Sequence, residues 1–450
     1  MNELNAYIQK YGINHPEDNY YPIVAAARMG KLDIVEYLVL QNADINARGY
    51  KKRTALMSAI KGKHVEVAKY LIAQKADLKL KDEAGHTAMQ IAVASGCYEQ
   101  LKTAFGKNDK VEVDGPYIFQ KNGNFQVLTI LRDADGKVLK DEKNLDPAVD
   151  DLQAACYDNS GNKLFNFQFA KEHLPTHDVY DGIEKVCVIS DIEGNFNEFR
   201  VLLLEAGVIN HQYEWTFGKG HLVLLGDFFD RGKYVTEVLW LVYWLEQQAA
   251  SNDGRVHFIL GNHEEMNLKG DVRYVDPKYK STAIFIKKDY MDFFAPNTVM
   301  GDWLRSKSAI VKVNDVLYCH AGISPEFVAA GYSIQRANQA VRLFLGQTRE
   351  KGKLSAADHE MLSSKKGPLW YRGIARQNID AAQVNAVLKH FEANKIIIGH
   401  TTVDQITATY GGKVINVDVK HSEGTEVSRA LLIENGEYQC IGLKYRSKLF

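Results

Sequence analysis

No apolar run in this 450-residue chain approaches the ~18 residues a membrane-spanning helix needs, so no membrane span is expected. An excess of charge of one sign is missing too. With 55 Lys and Arg against 56 Asp and Glu, the net charge of −1 creates no field that would draw the molecule onto nucleic acid or an anionic bilayer, and neither is expected as a partner. Cysteines are few. Cys97, Cys156, Cys187, Cys319 and Cys440 are odd in number and form no CxxC pair, and four sit in apolar or repeat contexts that read as buried thiols, which points to a reducing compartment. The opening Met-Asn-Glu-Leu-Asn-Ala-Tyr lacks the basic and then apolar stretches of a secretory leader. A soluble cytoplasmic protein is the expectation.

What is present is ordinary globular composition, 46% hydrophobic and 25% charged, over a length that suits about three domains. Residues 21–105 repeat with a period of 33: Tyr21, Thr54 and Thr87 are equivalent, as are Ala26, Ala59 and Ala92, and Ala43-Asp44 matches Ala76-Asp77. Each unit reads as helix, turn, helix and an Ala-Asp finger, and it resembles the ankyrin repeat. Small alanines are needed wherever stacked helices approach closely, but stacking alone does not explain why the array is present. The repeat class implies a protein partner. Leu4, Tyr7, Ile8 and Tyr11 share one helical face and are expected to cap the stack.

From about 110 to 180 the period changes to two. Tyr117–Gln120, Gln126–Leu131 and Lys163–Phe169 alternate between turn signals at Asn122-Gly123, Asp135-Gly136 and Ser160-Gly161, which predicts a small antiparallel β module serving as spacer or docking piece. The stretch 172–177 reads as its exit linker. Pro175 between His173 and His177 breaks the helix that would present them together, so no metal site is expected there.

The remainder alternates strand and helix. Strands are predicted at Lys185–Ile189, His221–Leu225, Val256–Leu260, Val316–Cys319 and Lys395–Ile398, with helices such as Phe196–Glu205 and Val235–Gln248 between them. Polar segments follow these runs: Ser190-Asp-Ile-Glu-Gly-Asn195, Gly226-Asp-Phe-Phe-Asp-Arg-Gly232, Gly261-Asn-His-Glu264, Cys319-His-Ala-Gly322 and Gly399-His-Thr401. Taken singly, an Asp before Gly is usually a turn residue and a lone His a satisfied core residue. Placed at the ends of strands in one sheet system, they converge on one crevice. Carboxylates, an amide oxygen and imidazoles are the ligands that a pair of divalent ions takes when it activates water and grips a phosphoryl group.

These segments are similar to the GDxHG, GDxxDRG, GNHE and HGG motifs of the calcineurin-like metallophosphoesterases, within them the phosphoprotein phosphatase family. The run Gly261–Val275 resembles the Shewanella-like branch in particular. The resemblance implies that Asp191, Glu193 and Asp227 hold a first metal, and that Asp227 bridges to a second held by Asn262, His320 and His400. It implies that His263, oriented by Asp230, protonates the leaving alkoxide, while Arg231 binds phosphate. An imidazolium beside a carboxylate suits a general acid, and the planar guanidinium fork matches phosphate. For a second phosphate-binding arginine, Arg372 in the Gly367–Gly373 turn is preferred over Arg273. Glu264 is expected to support the site without ligating. Two positions depart from the motifs: HGG reads His320-Ala-Gly322, and Glu193 stands where the family has histidine.

The expected architecture is therefore multidomain. All-α ankyrin repeats occupy 1–106, a small antiparallel β domain 107–180, and an α/β layered β-sandwich metallophosphoesterase domain 181–450. The expected activity is a metal-dependent phosphoric monoester hydrolase acting on phosphoserine or phosphothreonine proteins, phosphotyrosine being the alternative, through a metal-bridging hydroxide. No cysteine lies in a phosphate-cradling loop to act as nucleophile. Manganese is the expected metal, with iron and zinc as alternatives. Its rivals are a diadenosine polyphosphate hydrolase and a catalytically decayed ankyrin scaffold.

Overall fold

A computed structural model describes every residue except 1–9, 11, 16–20, 102–103, 105–110, 134, 176 and 348–351. It divides into two compact units: Met1–Val111 with Ser281–Asp289, and Glu112–Lys280 with Tyr290–Phe450.

In the first unit the 33-residue period becomes paired helices: α1 (Pro22–Arg28) with α2 (Leu32–Leu40), α3 (Ala55–Lys61) with α4 (Val65–Ala73), and α5 (Ala88–Ala94) with α6 (Tyr98–Leu101). The residue that starts each repeat sets its first helix. Pro22 takes the first position of α1, where no amide is needed, and the Thr54 hydroxyl accepts from the Met57 amide at 3.3 Å. Thr87 does the same for Gln90, whose side chain returns a bond to the Thr87 amide at 2.8 Å, a reciprocal cap. Ala26, Ala59 and Ala92 are buried with Leu38 and Leu71 in one continuous core. The fingers are zipped by side chains one repeat apart: Asn14 Oδ1 accepts from the Asp44 amide at 2.7 Å and Asn46 Oδ1 from the Asp77 amide at 2.8 Å. The proposed cap residues Leu4, Tyr7, Ile8 and Tyr11 lie outside the described residues.

The second unit begins with β1 (Asp114–Lys121), β2 (Asn124–Arg132) and β3 (Val138–Leu145), an antiparallel meander, followed by the β4 (Gln153–Tyr157) and β5 (Lys163–Gln168) hairpin. Asn122-Gly123 makes the first turn with φ of 53° and 85°, the positive values that a two-residue hairpin requires. Sequence reading missed β3 because Lys140-Asp-Glu-Lys143 is charged and the strand is largely exposed. Of the small β domain expected over 107–180, residues 112–180 fall in the same compact unit as the sheets that follow. Phe167 stacks on Trp240 at 4.4 Å, Tyr117 on Phe293 at 3.9 Å, and Trp240 Nε1 donates to Pro116 O at 2.9 Å.

Two six-stranded sheets make the sandwich. One runs β17 (Tyr445–Lys448), β16 (Glu437–Gly442), β15 (Ala430–Glu434), β7 (Lys185–Ile189), β8 (His221–Leu224), β9 (Arg255–Phe258). The other runs β13 (Thr407–Thr409), β14 (Val414–Asn416), β12 (Lys395–Ile398), β11 (Val316–Cys319), β10 (Ile310–Val313), β6 (Val179–Tyr180). Alternate residues of each strand, such as Val186 and Val188 against Val311 and Val313, enter one shared core. Strands β7, β8 and β9 are parallel, as are β11, β12 and β14, so their C-terminal ends deliver loops to one edge. Helices α7 (Phe196–Glu205) and α8 (Val235–Ala250) stand where the periodicity put them. The linker histidine His173 is a clasp: Nδ1 lies 3.0 Å from Asp302 Oδ2 and Nε2 2.8 Å from the Tyr243 hydroxyl. Among the described residues, no helix is long and apolar enough to cross a membrane. All five cysteines are buried and unbridged.

Candidate metal centre and active site

Three of the five polar segments, those after β7, β8 and β12, leave their strands through an unusual backbone. Asp191, Glu193, Asp227, Asp230, Arg231 and His400 all have φ between 47° and 72°, a region that non-glycine residues enter at a cost of about 1–3 kcal/mol each. The surroundings impose it. Glu264, wholly buried, gathers the amides of Gly261 at 2.7 Å, Asp227 at 2.8 Å, Phe228 at 2.8 Å and Phe229 at 3.4 Å onto one carboxylate, which fixes the turn after β8 against the turn after β9. Burial pushes that carboxyl up to about 7. Gly261 and Gly399 are obligatory for another reason: a Cβ at either would overlap the carboxylate of Asp227 or Asp191.

At the centre His320 Nε2 lies 3.0 Å from Asn262 Oδ1, 3.1 Å from His400 Nδ1 and 3.2 Å from Asp227 Oδ2. His320 Nδ1 donates to Leu225 O at 2.6 Å, so in the neutral ring Nε2 is the lone-pair atom turned to the cluster. Asp191 joins from behind, where its Oδ2 accepts from the His400 amide at 3.1 Å and from the Ser190 hydroxyl. The charges answer one another. Burial would raise Asp227, but the imidazoles of His320 and His263 hold it well below the usual carboxylate range; His320 in turn is pushed up to about 9, against its own burial, chiefly by Asp227. Burial pushes Asp191 up to about 6, with Asp227 adding to the rise.

This donor set fits a divalent cation. Ligand atoms of Asp227, His320 and His400 lie within 4.8 Å of one another, all three residues are buried, and His400 Nε2 has no hydrogen-bond partner. Two imidazole nitrogens 3.1 Å apart beside a carboxylate and an amide oxygen need a positive charge among them.

Beside the cluster stands a dyad. His263 Nδ1 and Asp230 Oδ2 are 2.5 Å apart and both residues are buried, while His263 Nε2 turns towards the cluster, 3.9 Å from Asp227 Oδ2. Burial alone would lower His263, yet Asp227 and then the bond from Asp230 raise it above its ordinary value. The two carboxylates thus shift the ring towards its imidazolium form beside the cluster.

The arginines separate cleanly. Arg372 reaches the cluster, with Nη1 donating to His400 O and, at 3.1 Å, to Thr401 Oγ1. Arg273 turns away to Asp271, its Nε 2.9 Å from both carboxylate oxygens, on an exposed surface. Arg231 is half exposed and pairs with Glu193, so the carboxylate in the family's histidine position meets a guanidinium rather than the His320 cluster.

Residues 184–404 match the calcineurin-like phosphoesterase family, and 23–114 match three ankyrin repeats. An uncharacterized protein of Schizosaccharomyces pombe is 30% identical over 283 residues, 59% of this chain and 82% of that protein. The chain belongs to the calcineurin-like phosphoesterases. Shewanella-like protein phosphatase 1 of Plasmodium berghei is 27% identical over 234 residues, 49% of this chain and 63% of its own length. The crystal structure of the cold-active protein-tyrosine phosphatase of a psychrophilic Shewanella superposes with a TM-score of 0.67 at 34% identity, covering 75% of this chain and all of that one. The protein is a metal-dependent phosphatase carrying ankyrin repeats, as its motifs and its period implied.

Sequence reading of this phosphatase missed several buried polar residues. Asp418, two residues past β14, is pushed well above the usual carboxylate range by burial and by the neighbouring Asp191 and Asp227. Asn416 Nδ2 donates to Thr401 O at 2.7 Å and its Oδ1 accepts from the Asp418 amide at 3.0 Å, which ties β14 to the His400 loop. Asn267 bonds to the dyad from behind, and the Tyr290 hydroxyl in turn donates to Asn267. The available signal was position: Asn267 lies four residues after His263 on α9 (Asn262–Leu268), hence on the same helical face.

Proposed function

We propose that this phosphatase hydrolyses phosphomonoesters on proteins with the help of two divalent ions. Asp191, Glu193 and Asp227 would hold the first; Asp227, Asn262, His320 and His400 the second. The observation that carries the reading is the Asp227, Asn262, His320 and His400 cluster with the Asp230–His263 dyad set beside it. Bound there, the ions supply a nucleophilic water at neutral pH and neutralise the phosphoryl oxygens. The protein's own groups do the rest. His263, oriented by Asp230, gives its Nε2 proton to the leaving oxygen, and Arg231 and Arg372 take phosphate oxygens through paired donors.

Phosphoserine, phosphothreonine and phosphotyrosine proteins are the substrate class, and the likeness to a Shewanella protein-tyrosine phosphatase brings phosphotyrosine forward. Manganese is the preferred metal. It accepts the oxygen donors of Asp191, Glu193 and Asp227 and also tolerates the imidazoles of His320 and His400. The repeats over 1–106 recruit the partner or substrate, and 181–450 carry the chemistry, in the cytoplasm. The test is turnover by metal-stripped protein reconstituted with single metals, against an aryl phosphate, phosphopeptides and dinucleoside polyphosphates. Hydrolysis of the aryl phosphate and phosphopeptides, highest with manganese, is expected; turnover confined to dinucleoside polyphosphates, or absent with every metal, would overturn the reading.

A further inference from the structure

The dyad continues into the protein interior. Asn267 Nδ2 donates to Asp230 Oδ1 at 3.0 Å and to His263 O at 2.8 Å, and Asn267 Oδ1 accepts from the Tyr290 hydroxyl at 2.7 Å. The amide orientation follows from these partners: a carboxylate and a carbonyl can only accept, so the NH2 faces them and the oxygen faces Tyr290. Tyr290 stays a donor, since burial, and next the charge of Asp230, push its hydroxyl well above its ordinary range. Asn267 is completely buried and Tyr290 nearly so. Every polar atom in the line Tyr290, Asn267, Asp230, His263 is therefore committed, and the line ends on Nε2 of the proton donor.

We infer that Asn267 and Tyr290 are positioning residues for proton delivery to the leaving group, an inference that rests on the phosphatase reading above. Asp230 has two carboxylate oxygens, either of which can accept from an imidazole N–H. Asn267 occupies Oδ1 and leaves Oδ2 for the imidazole; Tyr290 keeps the Asn267 amide from turning over. In the reaction the P–O bond to the alcohol breaks as the bond from water to phosphorus forms. The His263 Nε2 proton goes to the departing alkoxide, and water's proton restores the imidazolium. A ring tilted away from the leaving oxygen slows that transfer, and the loss falls on esters whose leaving groups need a proton. A poorly basic nitrophenolate departs without one.

The experiment compares kcat on 4-nitrophenyl phosphate and on an alkyl phosphate such as phosphoserine, with metal content, for wild type, Tyr290→Phe and Asn267→Leu in the full chain. Both variants keep their metal. The alkyl rate falls more than the aryl rate, by about threefold more in Tyr290→Phe and about tenfold more in Asn267→Leu, within the range that a general acid supplies. Equal losses on both esters, or none, would overturn the inference and reduce the pair to packing. If Asn267→Leu does not fold, Tyr290→Phe decides alone, because it removes a single oxygen. Failure of the wild type on both esters with every divalent ion is separate: it sinks the phosphatase reading, and this inference with it.

Discussion

In the repeat unit a residue finds its partners about one period away, as when Asn46 reaches the Asp77 amide 31 residues on. In the crevice Asp191 meets the His400 amide across 209 residues, and His320 meets Leu225 across 95. The two regions also treat the backbone differently. Helix N-caps in the repeats are extended, Thr54 at φ −80° and Thr87 at φ −80°, and positive-φ residues there, such as Asn42, Lys63 and Lys75, fall in turns after helices, whereas in the crevice six of the proposed site residues themselves are forced to positive φ. The repeats are stabilised piecewise by nearest neighbours. The crevice holds its strain only because two sheets and the Glu264 carboxylate over-determine it. Substitutions in the two regions should therefore fail in different currencies: activity in the crevice, local stability in the repeats.

The largest effect is expected from His320→Ala, which removes a proposed ligand and leaves Asp227 without its main counter-charge. Bound metal and aryl phosphate turnover should fall together to background, checked by metal analysis and assay of one preparation. His263→Ala comes next and separates chemistry from ligation. It should keep its metal and lose about 10²–10⁴-fold on alkyl esters, far less on nitrophenyl phosphate. Loss of metal in that variant would show that the dyad is part of the ligand set.

A smaller and more informative change is made at Glu193. As a ligand it gives the first position an all-carboxylate shell, and Glu193→His should move metal preference from manganese towards zinc or iron while the fold is kept. As a partner of Arg231 alone it should leave preference untouched, and Glu193→Gln should then change substrate KM rather than metal dependence. Metal titrations of the three proteins distinguish the two. The smallest effect on catalysis is expected from Thr87→Ala in the repeats: about 1 kcal/mol of stability lost at the α5 cap, read by hydrogen exchange in α5, with unchanged kcat on a small ester. A drop in kcat there would erase the distinction between the regions.

How far the sequence could be read follows the same division. The period and its equivalent alanines placed α1 to α6 because each repeat specifies itself locally. The five predicted strands of the sandwich stand close to where apolar runs put them, β9 shifted to Arg255–Phe258. Strands β13 and β14 are three residues each and β6 only two, too short to show a period, and β3 hides behind its charges. Asp227, Asn262, His320 and His400 were legible as polar residues after apolar runs. Asp418, Asn416 and Tyr290 were not, because each acts through a partner distant in sequence and carries no pattern of its own. Glu193 was visible as a departure, but its pairing with Arg231 depends on the turn after β7 meeting the turn after β8.

The central claim is that one carboxylate, Asp227, joins the metal sites to the chemistry. The most direct measurement is metal stoichiometry and aryl phosphate turnover of wild type and Asp227→Asn, purified and reconstituted side by side with manganese. The account predicts two ions per chain and turnover in the wild type, with both lost together in Asp227→Asn. An Asp227→Asn protein that hydrolyses the ester at the wild-type rate, with or without its metal, would contradict it.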